Sequence, residues 1–217
     1  MAFFTAKYLN RLAALLVIAT SLIASNTQAE DKKVNASFNY ILDGKMVNGW
    51  GMQLGDPTNW GTPVADRTGH SAGEKLSVEP ADYQGKGDAI KLTWDPKKDM
   101  RGIFAVYGAP IDLSAVENDV AIVYDMKIDV MPNKDAFIGM DCGYPCGGEL
   151  HMKKTLSRFK KGEWFSLPIA INCFSKEKVD LKKVNGPIKI STDGKMTLEI
   201  ANVRLQRLAD GDKGCSK

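Results

Sequence analysis

The stretch Val120-Ala121-Ile122-Val123-Tyr124-Asp125-Met126-Lys127-Ile128-Asp129-Val130 decides the fold class. Val120, Ile122, Tyr124, Met126, Ile128 and Val130 fall on one side of a two-residue repeat, and Ala121, Val123, Asp125, Lys127 and Asp129 fall on the other. Successive side chains of an extended chain point to opposite faces, so this is a long strand with one buried face. It stops at Pro132-Asn133. The same alternation recurs in Ile90, Leu92 and Trp94, and in Leu167, Ile169, Ile171 and Cys173. Pro168 cannot donate to a ladder, which places that second run at an edge or a bulge. Met196, Leu198 and Ile200 alternate before the phase slips to Val203 and Leu205, the mark of a bulge near Ala201-Asn202.

Shorter strands are expected over 38–42, 102–107, 136–142 and 188–192, with Asp193-Gly194 as a tight hairpin turn before the final strand. Residues 151–160 are the one short helix candidate. The segment 43–73 is rich in Gly, Asn, Asp, Pro and Thr, carries Trp50 and Trp60, and reads as a long irregular loop. Many strands with almost no helix give an all-β sandwich.

The N-terminus has the form of a secretory signal peptide over residues 1–29. Lys7 and Arg11 precede an uncharged apolar run over 12–24, and Thr27-Gln28-Ala29 follows with small residues. The run is shorter than the roughly 20 residues of a membrane span, and no lipid-accepting cysteine follows it. A periplasmic or secreted domain over 30–208 and a polar tail over 209–217 are expected. The full chain has 29 Lys and Arg against 26 Asp and Glu, a net charge of +3. The leader takes two bases and no acid, which leaves 27 against 26, or +1. That balance gives no electrostatic case for nucleic acid or for a membrane after leader removal.

All four cysteines, Cys142, Cys146, Cys173 and Cys215, lie beyond the leader, where an oxidising compartment permits disulfides. Cys142 with Cys146 is the local pairing and would leave Cys173 with Cys215. The spacing lacks the second Cys-x-x-Cys or His pair of a zinc site. Four cysteines allow three pairings, and the local one would make the turn Asp141-Cys142-Gly143-Tyr144-Pro145-Cys146-Gly147-Gly148-Glu149 a rigid, stapled loop. Cys142 shares the apolar phase of its strand and Asp141 the opposite one, so Asp141, Tyr144 and Glu149 are the residues placed to face a ligand.

Reactive constellations are absent. There are two histidines, His70 and His151, with no nucleophile elbow, no metalloprotease motif and no phosphate loop. A glycosidase would need two carboxylates, for which Asp141 and Glu149 are candidates in principle. Binding needs less, because aromatic faces supply rigid contact area and polar groups set orientation. The aromatic candidates are Trp50, Trp60, Tyr83, Tyr107 and Tyr144, whereas Trp94 and Trp164 are assigned to the core.

A set of motifs then lines up in order. They are Asn59-Trp60-Gly61-Thr62-Pro63-Val64, Lys91-Leu92-Thr93-Trp94, Ile111-Asp112-Leu113-Ser114, the cysteine loop through Leu150, Gly162-Glu163-Trp164, Leu167-Pro168-Ile169, Asn172-Cys173-Phe174, and Ser191 onward to Leu205. From about Trp50 to Leu205 the chain resembles the ExoP-type galactose-binding-like domain at the C-terminus of bacterial family 3 glycoside hydrolases acting on β-glucans. The resemblance implies a jelly-roll β-sandwich and a carbohydrate-associated, non-catalytic role. The hydrolase barrel has no counterpart here, so the glucosidase activity is not inherited. Cys215 lies beyond the resemblance, which counts against pairing it with Cys173 and leaves room for one free, buried cysteine.

The expected function is a carbohydrate-binding module for a β-glucan or related glycan, using Trp60, Trp50, Tyr107, Asp141, Tyr144 and Glu149. The alternative is a structural or assembly protein that packs against a partner such as a glycoside hydrolase, with glycan hydrolysis a distant third. No cofactor is expected. A structural calcium, which jelly-roll modules often hold, is compatible with the composition, but no Asp-x-Asp-x-Asp-Gly run marks its ligands.

Overall fold

A computed structural model of the chain describes residues 38–215, so the leader and the first residues after it lie outside the described residues. In chain order the strands are β1 (Asn39–Leu42), β2 (Lys45–Met46), β3 (Gly51–Asp56), β4 (Asn59–Val64), β5 (Gly69–His70), β6 (Leu76–Ala81), β7 (Ala89–Trp94) and β8 (Gly102–Tyr107). Then come β9 (Val120–Val130), β10 (Ala136–Asp141), β11 (Gly147–His151), β12 (Trp164–Ala170), β13 (Gly186–Thr192) and β14 (Met196–Arg207). Two short helices, α1 (Lys153–Leu156) and α2 (Ile171–Lys176), flank β12.

The strands form two antiparallel sheets. One runs β12-β9-β14-β7-β6-β5, with β1 attached to β14 and β2 to β1. The other runs β11-β10-β13-β8-β3-β4. Their facing sides share one core. Ile122, Tyr124, Met126 and Ile128 of β9 belong to the same buried cluster as Phe104, Val106, Ile138, Met140, Ile188 and Ile190. The architecture is a β-sandwich, as the period-two pattern leads one to expect, of the jelly-roll type that the family resemblance implies.

Several local expectations hold for physical reasons. Pro168 sits in β12, the edge strand, where its missing N–H costs no second ladder. The bulge between Ile200 and Asn202 lets β14 change partners. Residues 196–200 pair with β7, while Val203 and Arg204 pair with β1. The turn between β1 and β2 closes on the bulge, where Gly44 N–H donates to Ala201 O at 2.8 Å and Asp43 N–H to Asn202 Oδ1 at 3.0 Å. Trp94 is buried, and its Nε1–H donates to Gly102 O at 2.9 Å.

Other expectations are corrected. The segment 43–73 is not an irregular loop, because β3 and β4 form a hairpin within it. Its turn-forming composition disguised a strand whose core residues are Met52 and Leu54. The run 167–173 leaves the strand at Ala170, and Ile171, Cys173 and Phe174 are buried on α2 instead. Alternating apolar residues over so short a span fit either period. Asp193-Gly194 is not a hairpin turn, since β13 and β14 belong to different sheets and the turn crosses between them. Trp164 is half-buried on the outer side of β12, against Tyr83 and under Lys127. Cys173 is bonded to Cys215, so no described cysteine is free. Asn172 holds the same tail, accepting from Cys215 N–H at 2.9 Å and donating to Lys213 O at 3.0 Å.

The crossing at Asp193-Gly194 is tied down by Lys75, whose side chain is fully buried. Its ammonium donates to the carbonyls of Asp95 (2.8 Å), Lys98 (2.7 Å), Asp193 (3.2 Å) and Gly194 (2.9 Å). Burial lowers its pKa below the ordinary lysine value, against the pull of Asp95, Asp193 and Asp99. One buried cation therefore joins the start of β6, the loop after β7 and the connection between the sheets. A metal ion would use such a carbonyl cluster, and here it is filled by the protein's own ammonium. Among the described residues, no group of three or more His, Cys, Asp or Glu side chains is arranged to hold a metal.

Buried Asp56 closes the hairpin end of β3. It accepts from Thr58 N–H at 2.9 Å and Gly73 N–H at 2.7 Å. Desolvation works to raise its pKa, but hydrogen bonds from the Ser71 hydroxyl and from the Thr58 and Gly73 amides outweigh it, leaving the carboxyl below its ordinary 3.8.

Lys75→Met leaves four carbonyls without their shared donor. At about 1–3 kcal/mol for each buried group left unsatisfied, urea unfolding should show a loss of at least about 3 kcal/mol, and an unchanged midpoint would refute the clamp. Asp56 stabilises the fold above the ordinary carboxylate range, and that contribution is lost as pH falls through its lower folded-state value. Acid titrations of wild type and Asp56→Asn should therefore converge at low pH, with the variant losing less stability on the way down. Parallel acid limbs would count against this role.

Candidate functional site

The outward face of the six-stranded sheet carries the site. The pleat sends Phe104, Val106, Ile188 and Ile190 into the core and turns Ile103, Ala105, Lys189 and Ser191 outward. Register then sets a row across all six strands, from Glu149 through Gly139, Lys189, Ala105 and Gln53 to Pro63. Small residues at Gly139 and Ala105 lower the floor between the long ones. A cleft of about 960 Å³ lies above this row.

Gly139 has a steric reason. A Cβ there would sit 2.6 Å from the Gly148 carbonyl oxygen, 3.0 Å from Glu149 Cγ and 3.1 Å from Lys189 Cε, the last two because both side chains lean over it from the neighbouring strands. They meet across it, with Lys189 Nζ 3.4 Å from Glu149 Oε1. The same ammonium donates to Asp141 Oδ1 at 2.6 Å. Arg101 extends the network, donating from Nη2 to Glu149 Oε2 at 2.5 Å and to Ser191 Oγ at 2.7 Å, with its guanidinium 4.6 Å from the centre of the Phe137 ring.

Aromatic side chains stand at the margins. Trp60 lies on the edge strand β4 and is 54% exposed. Tyr144 is fully exposed on the loop that joins β10 to β11, at the opposite end of the sheet. Four strand spacings separate β10 from β4, roughly 19 Å at about 4.8 Å each. Tyr107 at the end of β8 is 38% exposed and lies against Gly51. The Tyr144 loop is closed by the Cys142–Cys146 disulfide and by two backbone bonds, Cys142 N–H to Cys146 O at 3.0 Å and Cys146 N–H to Gly143 O at 2.7 Å. Buried Cys142 also accepts from Asp180 N–H through its sulfur at 3.3 Å, which anchors the loop to the body.

Five of the six residues singled out in the sequence line this cleft, namely Trp60, Tyr107, Asp141, Tyr144 and Glu149. Trp50 does not. It packs edge-on to Tyr40 at 5.3 Å between ring centres and lines a separate hollow of about 410 Å³ near Met46 and Arg67. Gly108 is pressed against its ring, so Trp50 serves packing. Tyr83 is likewise elsewhere, packed at a tilt against Trp164.

Sequence reasoning missed Lys189, Gln53 and Arg101. Lys189 was within reach, as the outward residue between Ile188 and Ile190 in a strand already recognised. Gln53 was hidden because its strand was read as loop. Arg101 lies just before β8, and only the folded sheet brings it to Glu149.

Comparison with known proteins follows this geometry. The family Exop_C, described as galactose-binding domain-like, matches residues 48–205. No curated protein sequence matches the chain significantly. Among solved structures, the chain resembles the extra C-terminal domain of the exo-1,3/1,4-β-glucanase ExoP from a Pseudoalteromonas species, with 15% identity, 83% of this chain and 99% of that domain covered, and a TM-score of 0.67. Against the longer structure of the same glucanase the identity is 16% and the TM-score 0.65; the match covers 82% of this chain but 21% of the enzyme. A family 30 carbohydrate-binding module of a Clostridium thermocellum cellulosomal cellulase aligns with 16% identity over 78% of this chain and 96% of the module, with a TM-score of 0.55. At these identities the structural matches establish the shared fold, and the family match spans well over half of the sequence. The chain belongs to the Exop_C family of galactose-binding domain-like proteins.

Proposed function

We propose that this protein is a non-catalytic carbohydrate-binding module that holds a β-glucan or related glycan outside the cytoplasm. The observation that carries the reading is the cleft itself. Trp60, Tyr107 and Tyr144 expose flat apolar faces around a polar floor of Lys189, Asp141, Glu149 and Gln53. Sugar rings have apolar faces and hydroxyl rims, and this arrangement offers a partner to each. The fold shared with a family 30 carbohydrate-binding module and with the glucanase domain supports it. The cleft crosses the strands, so an extended glycan can reach from Trp60 toward Tyr144.

Asp141 and Glu149 act here as hydrogen-bond acceptors. Both are paired with one ammonium, which positions their oxygens. Two disulfides fit an oxidising compartment, in agreement with the signal-like N-terminus.

A second reading is favoured by one observation. The related glucanase domain is a minor part of a long chain. The present protein could use the same face to assemble with a glycoside hydrolase as a separate partner. A partner that binds equally well with and without sugar would support that reading.

Titration calorimetry with mixed-linkage β-glucan oligosaccharides tests the main one. Trp60→Ala and Tyr144→Ala should each weaken binding at least about tenfold, about 1.4 kcal/mol. Tyr83→Phe, in the loop between β6 and β7 and away from the cleft, should bind as wild type. Full affinity in both alanine variants would overturn the assignment of this cleft.

A further inference from the structure

We infer that the cleft selects by charge, admitting neutral glycans and turning away those that carry carboxylates. This deepens the carbohydrate-binding reading and rests on it. The charged residues that line the cleft are Asp141, Glu149, Glu177 and Lys189. Three are acidic and one is basic. The single cation is already committed, with Asp141 at 2.6 Å and Glu149 at 3.4 Å from its nitrogen and 15% of its side chain exposed. Arg101 borders the cleft, but its Nη2 is engaged by Glu149 and Ser191 and its guanidinium lies over Phe137. Even with Arg101 counted, acids outnumber bases.

The consequence is directional. A sugar hydroxyl can donate to the carboxylate oxygens that Lys189 leaves open, and the amide of Gln53 can donate to or accept from it. A uronate carboxylate offers only acceptors. It would meet three carboxylates and no uncommitted cation, and would have to break the Lys189 or Arg101 pairs to find a donor. Like charges forced together suppress the wrong ligand more strongly than they weaken the right one. Lys189 thus works as a positioning residue. It pairs with Asp141 and, across Gly139, with Glu149, and keeps the floor rich in acceptors.

The test uses matched sugars. Cello-oligosaccharides and laminari-oligosaccharides would be compared with counterparts of the same linkage and length oxidised to carboxylates at C6, using the purified full chain. At low salt the neutral member of a binding pair should bind at least about tenfold more tightly. The gap should shrink as salt rises, since screening shortens from about 10 Å at 0.1 M to about 3 Å at 1 M. Glu177→Gln should narrow the ratio at low salt. Equal or tighter binding of the carboxylated sugar would overturn the inference while leaving glycan binding intact. Binding of none of the four sugars would instead bring down the carbohydrate-binding reading, and this inference with it.

Discussion

The pairing register of β10, β13 and β8 is the constraint on which the site depends. Side chains alternate strictly across a strand, so a slip of one residue would send Lys189 into the core and Ile190 into the cleft. The core forbids that slip, because Ile188 and Ile190 are buried against the opposite sheet. With the register fixed, Lys189 must stand opposite Gly139, and Glu149 must stand on Gly139's other side. The polar floor is a by-product of apolar packing on the hidden face.

The remainder of the fold keeps that sheet in place. Lys75 binds four carbonyls from two segments, the loop after β7 and the crossing that carries the chain from β13 to β14. The clamp sits directly beyond the strand that supplies Lys189. At the other end of β13, Asn185 N–H donates to Asp141 O at 3.1 Å and Gly108 N–H donates to Asn185 O at 2.9 Å. On the chain-entropy estimate, the disulfide from Cys173 to Cys215 spans enough residues to contribute about 4 kcal/mol, and the short Cys142 to Cys146 loop about 2 kcal/mol. The larger contribution holds the C-terminal tail on α2. The smaller one braces the aromatic wall of the cleft.

Much of this was legible in the sequence, and the failures have physical causes. Long alternating runs such as 120–130 and 196–205 declare themselves because one face is buried along their whole length. The bulge at Ala201 was visible as a slip of phase. The hairpin of β3 and β4 was not, since Gly, Asn, Pro and Thr there serve an exposed edge and a cleft margin and mimic a loop. The helix at Ile171 was missed because alternating apolar residues in a seven-residue window do not fix a period. Of the cleft, the aromatic and acidic residues could be named one by one. Their common location could not, because β4, β8, β10 and β11 are brought together by sheet order alone. Cys215 lay outside the family resemblance, and its pairing follows from where Asn172 holds the tail.

The account makes glycan recognition a property of one face. The eight-stranded sheet presents a different outer surface, where Lys127 pairs with Glu199 at 2.8 Å and Tyr83 packs at a tilt against Trp164. Desolvation raises the pKa of Glu199 above its ordinary value, with Asp129 adding to the shift and Lys127 opposing it. Those groups lie apart from the cleft above Lys189. The decisive measurement is a crystal structure of the protein soaked with a β-glucan oligosaccharide that binds in solution. The account predicts sugar rings lying across the strands above Lys189 and Gln53, with one ring on Trp60. Sugar bound on the eight-stranded sheet, or in the hollow beside Trp50, would contradict it.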